Sequence, residues 1–257
     1  MTESDLPQTD KQLVITTTGE IFQPIRLHYE LLDRKELLRT FNKLGCIDFD
    51  PGRQRWVWLY TREARPLKFE RSYDELPKEM REIVLGAFYI RKSGRFIRSE
   101  FELLLDLRSF ERAVAAIEFF DKRIPRKVAK LRYFDVVNRL FSSDEDAPAD
   151  FDDLFEREEL RKTNPFARIE EIENLDESAP DFEARRLVFL AETEKKMDEP
   201  RPEVQRLPTS YYEDGIEVFS AMLKMQQTHS LMEWKEGRKL SFLDFFTRIQ
   251  QNEKKGQ

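Results

Sequence analysis

The sequence predicts an α+β fold: a mixed, mainly antiparallel sheet with two packed helices, followed by an acidic linker and a helical carboxy-terminal region. Three observations predict it. Strand and helix patterns alternate closely over residues 11–141, two strand–helix–strand units occur within that range, and the composition turns acidic and then helical after it. Because such units place helices on one sheet face, the arrangement is a sandwich related to ferredoxin-like folds.

The first elements follow from alternation and capping. The segments QLVITTT and IRLHYEL are rich in β-branched or alternating apolar residues, and in the second Arg26, His28 and Glu30 fall on the face opposite the apolar side chains. The next segment, DRKELLRTFNKLG, has apolar residues at helical spacing, Asp33 as a cap and Gly45 as a stop. These patterns predict two strands and a helix.

Two hairpins and a second helix follow. CIDFD and RQRWVWLYT are joined by a turn around Pro51, and IVLGAFYI pairs with RFIRSEFELLLDL around Ser93. SFERAVAAIEFFDKRI predicts a helix capped by Ser109, VAKLRYF a strand, and DVVNRLF a short helix. The segment that contains RPEVQRLPTS is interpreted as a loop between carboxy-terminal helices.

The domain boundaries come from changes in composition. We expect a disordered tail at 1–10, the α+β domain at 11–141, the acidic linker at 142–179, a helical region at 180–252 and a frayed tail at 253–257. Within the linker, Phe151, Leu154 and Phe155 recur at helical spacing on an otherwise acidic strip. Such segments use a few apolar anchors to occupy a groove on another surface.

Charge is distributed unevenly along the chain. Residues 51–140 carry 21 Lys and Arg against 13 Asp and Glu, whereas residues 141–200 carry 8 against 20. Opposite charge on neighbouring segments favours attraction between them. We therefore expect residues 151–160 to lie against the basic surface of residues 51–140, within one chain or across a dimer.

The sequence gives no positive indication of a cofactor, a membrane span or a disulfide. Nucleotide-binding and serine-nucleophile glycine motifs are absent from it, and no apolar run approaches the ~20 residues of a transmembrane helix. The amino terminus is acidic where a secretory signal has a basic region, and Cys46 is the one cysteine. We expect a cytoplasmic protein without a cofactor.

Nucleic-acid binding is one alternative function. The run from Arg53 to Arg62 interleaves cations with aromatic rings, as single-strand binding surfaces do. The residues that carry this hypothesis are Arg53, Arg55, Trp56, Trp58, Tyr60 and Arg62. The same alternation also fits a strand covered on both faces, with Val57 and Leu59 buried in either case.

A metal-dependent hydrolase or nuclease is a second alternative. Asp48 and Asp50 share one strand face, as do Glu100 and Glu102, and converging carboxylates can hold a hard cation. With 50 acidic residues in the chain, pairs of this kind also arise by chance.

The sequence favours a third class, a non-catalytic interaction, scaffold or assembly factor. It would act through the basic α+β domain and the acidic linker with Phe151, Leu154 and Phe155, and its partner would be another protein. Nucleic acid is the alternative partner, a membrane is not expected, and the pattern also allows a homo-oligomer.

Overall fold

Seven β-strands form one antiparallel sheet in the part of the chain that the structure describes. The structure is a computed structural model, and it describes residues 12–80, 82–93, 96, 98–145, 148, 151–156, 178–208 and 215–255. The strands are β1 (Ile25–Leu31), β2 (Ile47–Asp50), β3 (Arg55–Leu59), β4 (Val84–Lys92), β5 (Phe101–Leu107), β6 (Ala129–Val137) and β7 (Val204–Pro208). Their order across the sheet is β2-β3-β4-β5-β1-β6-β7.

Six α-helices accompany the sheet over the same described residues. They are α1 (Arg34–Lys43), α2 (Phe110–Asp121), α3 (Asp152–Phe155), α4 (Phe182–Asp198), α5 (Ile216–Glu236) and α6 (Phe242–Lys255). The caps are those that the sequence predicts, since Asp33 accepts a hydrogen bond from the Glu36 amide and Ser109 accepts one from the Arg112 amide. None of the described helices combines the length and apolar composition that crossing a bilayer requires.

The connections explain the strand order. Helix α1 joins β1 to β2, the chain then returns through β3, β4 and β5 as a meander, and α2 joins β5 to β6. Both expected hairpins, β2–β3 and β4–β5, are present. The α+β class is therefore confirmed, and each adjacent strand pair in the described part is antiparallel rather than mixed.

One face of the sheet forms the main hydrophobic core with α1, α2 and α5. Strand β1 contributes Ile25, Leu27, Tyr29 and Leu31, and α5 contributes Phe219 and its neighbours. Trp58 also lies in this core, where its ring contacts Phe119 and Phe120 at centroid distances of 5.5 and 5.0 Å. The apolar alternation in β1 thus identifies the core face correctly.

The carboxy-terminal part is anchored to the sheet by a buried polar cluster. Arg201 donates to the Gln226 side chain at 2.7 Å and pairs with Glu233 at 3.1 Å. The Gln23 amide, which precedes β1, donates to Ser230 of α5 at 3.0 Å. These hydrogen bonds fix α5 against residues that lie far away in the sequence.

Three elements differ from the sequence-based expectation. The expected loop at 201–210 contains β7, which pairs with the edge of β6. The expected helix in DVVNRLF is absent: its first three residues end β6, where Val136 and Val137 are buried β-branched residues that suit a sheet, and residues 138–141 are irregular. QLVITTT forms isolated bridges from Leu13 and Ile15 rather than a strand.

The expected tails and linker are described only in part. Residues 1–10 and 157–177 lie outside the described residues, and α6 continues to Lys255 within the range expected to fray. Of the linker's apolar positions, Phe151, Leu154 and Phe155 are described.

Removing the Trp58 ring should destabilise the whole fold. We expect Trp58→Ala to lower the free energy of unfolding by about 3–5 kcal/mol, because the ring has no exposed surface and its loss leaves a cavity. Urea unfolding followed by circular dichroism measures this loss.

Trp58→Phe provides the matched control. The indole N–H of Trp58 is buried and finds no hydrogen-bond partner among the described residues, so Phe removes an unsatisfied donor while it retains an aromatic ring. We expect Trp58→Phe to cost much less than Trp58→Ala. Equal losses for the two variants would contradict this account of the core.

Candidate interaction site

The sheet face opposite the main core carries a buried row of ionisable side chains. Residues of β1, β5 and β6 point to it, and the six at its centre each have a relative exposure of 8% or less. We call it the charged face, and its central residues are Arg26, His28, Glu30, Glu102, Asp106 and Asp135. Arg132 of β6, together with Arg91 of β4 and Arg206 of β7, completes it.

Arginine–carboxylate pairs neutralise most of this charge. Arg26 donates to Asp106 through two nitrogens at 2.5 and 2.8 Å, and Arg206 donates to Asp135 through two nitrogens at 2.7 Å each. Two parallel bonds between a guanidinium and a carboxylate give a strong and directional contact. Burial alone would lower the pKa of Arg26, but Asp106 and Asp152 outweigh it and raise that pKa.

His28 lies between two acidic side chains at the centre of the face. Its Nε2 is 3.0 Å from Asp135 Oδ2 and its Nδ1 is 3.6 Å from Glu102 Oε2, while the ring stacks on Tyr133 at 4.3 Å. Burial by itself raises the pKa of Glu102, but His28 and Arg91 outweigh it and lower the pKa to about 2. Glu102 is therefore ionised at neutral pH despite its burial.

Residues 151–156, which we call the acidic segment, cover part of the charged face. Asp152 Oδ1 is 2.7 Å from Arg26 Nη1, and Glu156 pairs with both Arg26 and Arg91. The Phe155 ring also lies against the guanidinium of Arg26, whose Cζ is 5.2 Å from the ring centroid. Two arginines of the sheet therefore bind the acidic segment directly.

The apolar side chains of the acidic segment are buried in a second, smaller cluster. Phe151, Leu154 and Phe155 are 8%, 6% and 1% exposed. They pack with Phe22, Val137, Phe141 and Val204. The three residues whose spacing placed them on one side of a short helix are therefore buried together in this cluster.

The expected contact between the acidic segment and the basic range occurs within one chain. Arg91 belongs to residues 51–140, whereas Arg26 lies outside that range and was missed. Its position opposite the apolar residues of β1 was the available signal, but a polar strand face is equally typical of a solvated surface. Residues 157–160 lie outside the described residues.

The aromatic residues of β3 and the adjoining Tyr60 do not form one open surface. Trp58 and Tyr60 have no exposed area, so the expectation that a base stacks on them is wrong. Trp56 is half-buried against Phe41 and Phe49.

The three arginines of the run from Arg53 to Arg62 do not share one surface. Arg55 contacts Asp50 at 3.1 Å and the Tyr89 hydroxyl at 3.3 Å, whereas Arg53 and Arg62 are exposed. Val57 and Leu59, expected to be buried, are half-buried. Of the six residues proposed for nucleic-acid binding, two are in the core, two are half-buried and two are exposed: Trp58 and Tyr60, Arg55 and Trp56, and Arg53 and Arg62, respectively.

The four candidate metal ligands are not brought together. Asp48 and Asp50 lie on the edge strand β2, whereas Glu102 lies on β5 and Glu100 just before it. Two strands separate β2 from β5, which corresponds to a spacing of roughly 14 Å. Within the described ranges, no group of three or more His, Cys, Asp or Glu residues is placed to hold a metal ion.

Comparisons with protein-family models, with curated proteins and with solved structures gave no match to this chain. The functional argument therefore depends on the geometry of the site.

The ionised state of Glu102 predicts a specific pH dependence. Because its pKa falls from 4.5 to about 2 on folding, Glu102 stabilises the fold above pH 4.5, and this contribution is lost as the pH falls towards 2. We expect Glu102→Gln to cost roughly 3 kcal/mol at pH 7 and nearly nothing at pH 2. Urea unfolding at a series of pH values measures the difference from wild type.

Glu100→Gln is the matched control, because Glu100 is exposed two residues away on the same segment. We expect its unfolding curves to match the wild type across the pH range. A difference between Glu102→Gln and wild type that does not change with pH would refute the assignment.

Proposed function

We propose that the chain is a non-catalytic protein-interaction factor that acts in assembly or regulation. Its partner would be another protein that presents an acidic peptide with aromatic anchors to the charged face. The acidic segment would occupy the same site within the chain when no partner is bound, and we call this site, formed by Arg26, Arg91 and the apolar cluster around Phe22, the groove. A cytoplasmic location is part of this proposal, and the free, buried thiol of Cys46 is compatible with it.

The docking of the acidic segment is the observation that supports this proposal. Three buried apolar side chains hold one side of the segment, while Asp152 and Glu156 face two arginines on the other. A few apolar anchors combined with charge recognition is a common mode of peptide binding by proteins. The groove therefore has the chemistry that an acidic peptide needs.

The charge balance of the sheet supports exchange of the segment. Without the acidic segment, Arg26 retains its two bonds to Asp106 and Arg91 retains its bond to Glu102. A buried charge without a partner is costly, but neither arginine becomes one when the segment leaves. A partner with the same chemistry can therefore replace the segment without disrupting the sheet.

The fold is part of the proposal as well. We propose that the α1 and α2 connections around β1, β4, β5 and β6 make the sheet a relative of ferredoxin-like arrangements, extended by the β2–β3 hairpin and by β7. The support is the sheet order β4-β5-β1-β6.

The proposal predicts that the groove binds its own segment when this is supplied as a separate peptide. The probe is a labelled synthetic peptide with the sequence of residues 148–160. We expect the full chain with Phe151→Ala and Phe155→Ala to bind it at least about tenfold more tightly than the wild type, because the tethered wild-type segment competes at high effective concentration. Fluorescence anisotropy measures the affinities.

A second variant protects the test against loss of folding. Asp152→Asn with Glu156→Gln keeps the apolar anchors and weakens the charge contacts, and circular dichroism verifies that both variants are folded. The control peptide carries Phe151→Ala and Phe155→Ala and has the same net charge. It would still bind if charge alone drove binding.

Arg91 and Lys92 give a matched pair in the groove. Arg91 contacts the acidic segment, whereas Lys92 is exposed on the same strand. We expect Arg91→Gln, introduced into the peptide-binding variant, to weaken peptide binding and Lys92→Gln to leave it unchanged. If folded variants bind no peptide, the acidic segment is a fixed part of the fold and the proposal is wrong.

A further inference from the structure

The side chains of the acidic segment meet the groove in a fixed order. The residues at its first, fourth and fifth positions are apolar and buried in the cluster around Phe22. Asp152 and Glu156, at the second and sixth positions, contact the arginines, whereas Asp153, at the third, is exposed. Apolar contact, charge contact and exposure are thus assigned to different positions.

A helical turn presents this order of side chains, and an extended strand does not. Residues four apart lie on one side of a helix, which places Phe151 beside Phe155, with Asp152 and Glu156 forming the neighbouring stripe. In a strand, alternate residues share a face, so Leu154 would lie with the two carboxylates. The backbone accordingly forms a helical turn, because the Phe155 amide donates to the Phe151 carbonyl and the Glu156 amide donates to the Asp152 carbonyl.

The position of Arg26 in the sheet excludes binding by strand addition at this point. Arg26 lies on β1, where it is paired opposite Asp106 of β5 on one side and Asp135 of β6 on the other. A peptide that adds a strand needs a free sheet edge, and this part of β1 has none. Recognition by Arg26 therefore depends on its guanidinium, which contacts both the Asp152 carboxylate and the Phe155 ring.

We propose that the partner peptide of the groove forms one helical turn with the order aromatic, acidic, any residue, aliphatic, aromatic, acidic. This inference rests on the proposed function, in which a partner replaces the acidic segment. It adds the order, the spacing and the conformation that the partner's side chains must have. An acidic peptide that carries the same residues in another order does not fit the groove.

The two acidic positions contribute unequally to recognition. Glu156 pairs with Arg91 and lies 3.2 Å from Arg26, and its side chain is 17% exposed. Asp152 lies 2.7 Å from Arg26 but 3.9 Å from Arg91, and its side chain is 55% exposed. Because water screens exposed ion pairs strongly, the sixth position should contribute more than the second.

An isomeric peptide separates a helical turn from an extended chain. The protein is the full chain with Phe151→Ala and Phe155→Ala, and the reference probe is the labelled peptide of residues 148–160. In the isomer, Asp153→Leu combined with Leu154→Asp keeps the composition and the net charge but gives residues 151–156 the apolar–acidic alternation of a strand. We expect fluorescence anisotropy to show at least about tenfold weaker binding of the isomer, because an aspartate then faces the apolar cluster. Equal or tighter binding of the isomer would overturn this inference and leave the proposed function intact.

Three amide variants of the peptide test the acidic positions with the same change of charge. Glu156→Gln should weaken binding most and Asp152→Asn less, whereas Asp153→Asn is the matched control and should bind as the reference does. In the chain that also carries Arg91→Gln, the effect of Glu156→Gln should shrink, because the contact between those two side chains is already lost. Equal losses at the three positions would indicate that charge acts without order, which contradicts the inference.

Two further substitutions at the exposed third position test the conformation of the bound peptide. Asp153→Ala and Asp153→Val remove the same charge, but Ala favours a helix whereas Val favours an extended strand. We expect the Asp153→Ala peptide to bind about two- to threefold more tightly than the Asp153→Val peptide. Tighter binding of Asp153→Val would overturn the helical turn. If the reference peptide itself does not bind, this inference and the proposed function both fail.

Discussion

The structure depends on the burial of the ionisable side chains that β1 contributes to the charged face. All seven residues of this strand are buried, and three of them are Arg26, His28 and Glu30. Ionised groups removed from water are tolerated only with close, hydrogen-bonded partners. The elements around β1 therefore have to supply opposite charges as well as apolar cover.

Each neighbour of β1 meets part of this requirement. Strand β5 supplies Asp106 to Arg26. Strand β6 supplies Arg132 to Glu30 and Asp135 to His28. Strand β7 lies 67 residues after β6, yet it brings Arg206 to Asp135 across the β6–β7 ladder. Main-chain pairing and a buried ion pair together explain why this distant segment joins the sheet.

The sequence predicted the elements better than their surroundings. The apolar alternation in β1 and β5, the caps at Asp33 and Ser109 and the hairpin turns are local signals, and they were interpreted correctly. Whether Arg26 and Glu102 face water or a covering segment depends on contacts far apart in the sequence, and alternation is the same in both cases. Trp56, Trp58 and Tyr60 were ambiguous for the same reason, since burial is decided by what packs on the strand.

The charged face is extended by β7 and covered in part by the acidic segment, and these two elements differ in how firmly they are attached. β7 is bound by main-chain hydrogen bonds and by Arg206, so its departure would remove a partner of Asp135 and open a sheet edge. The backbone hydrogen bonds Leu154–Phe151, Phe155–Phe151 and Glu156–Asp152 lie within the acidic segment, and its attachment to Arg26 and Arg91 is made by side chains. Because Asp106 and Glu102 already balance those two arginines, removing the acidic segment would leave fewer buried charges without a partner than removing β7 would.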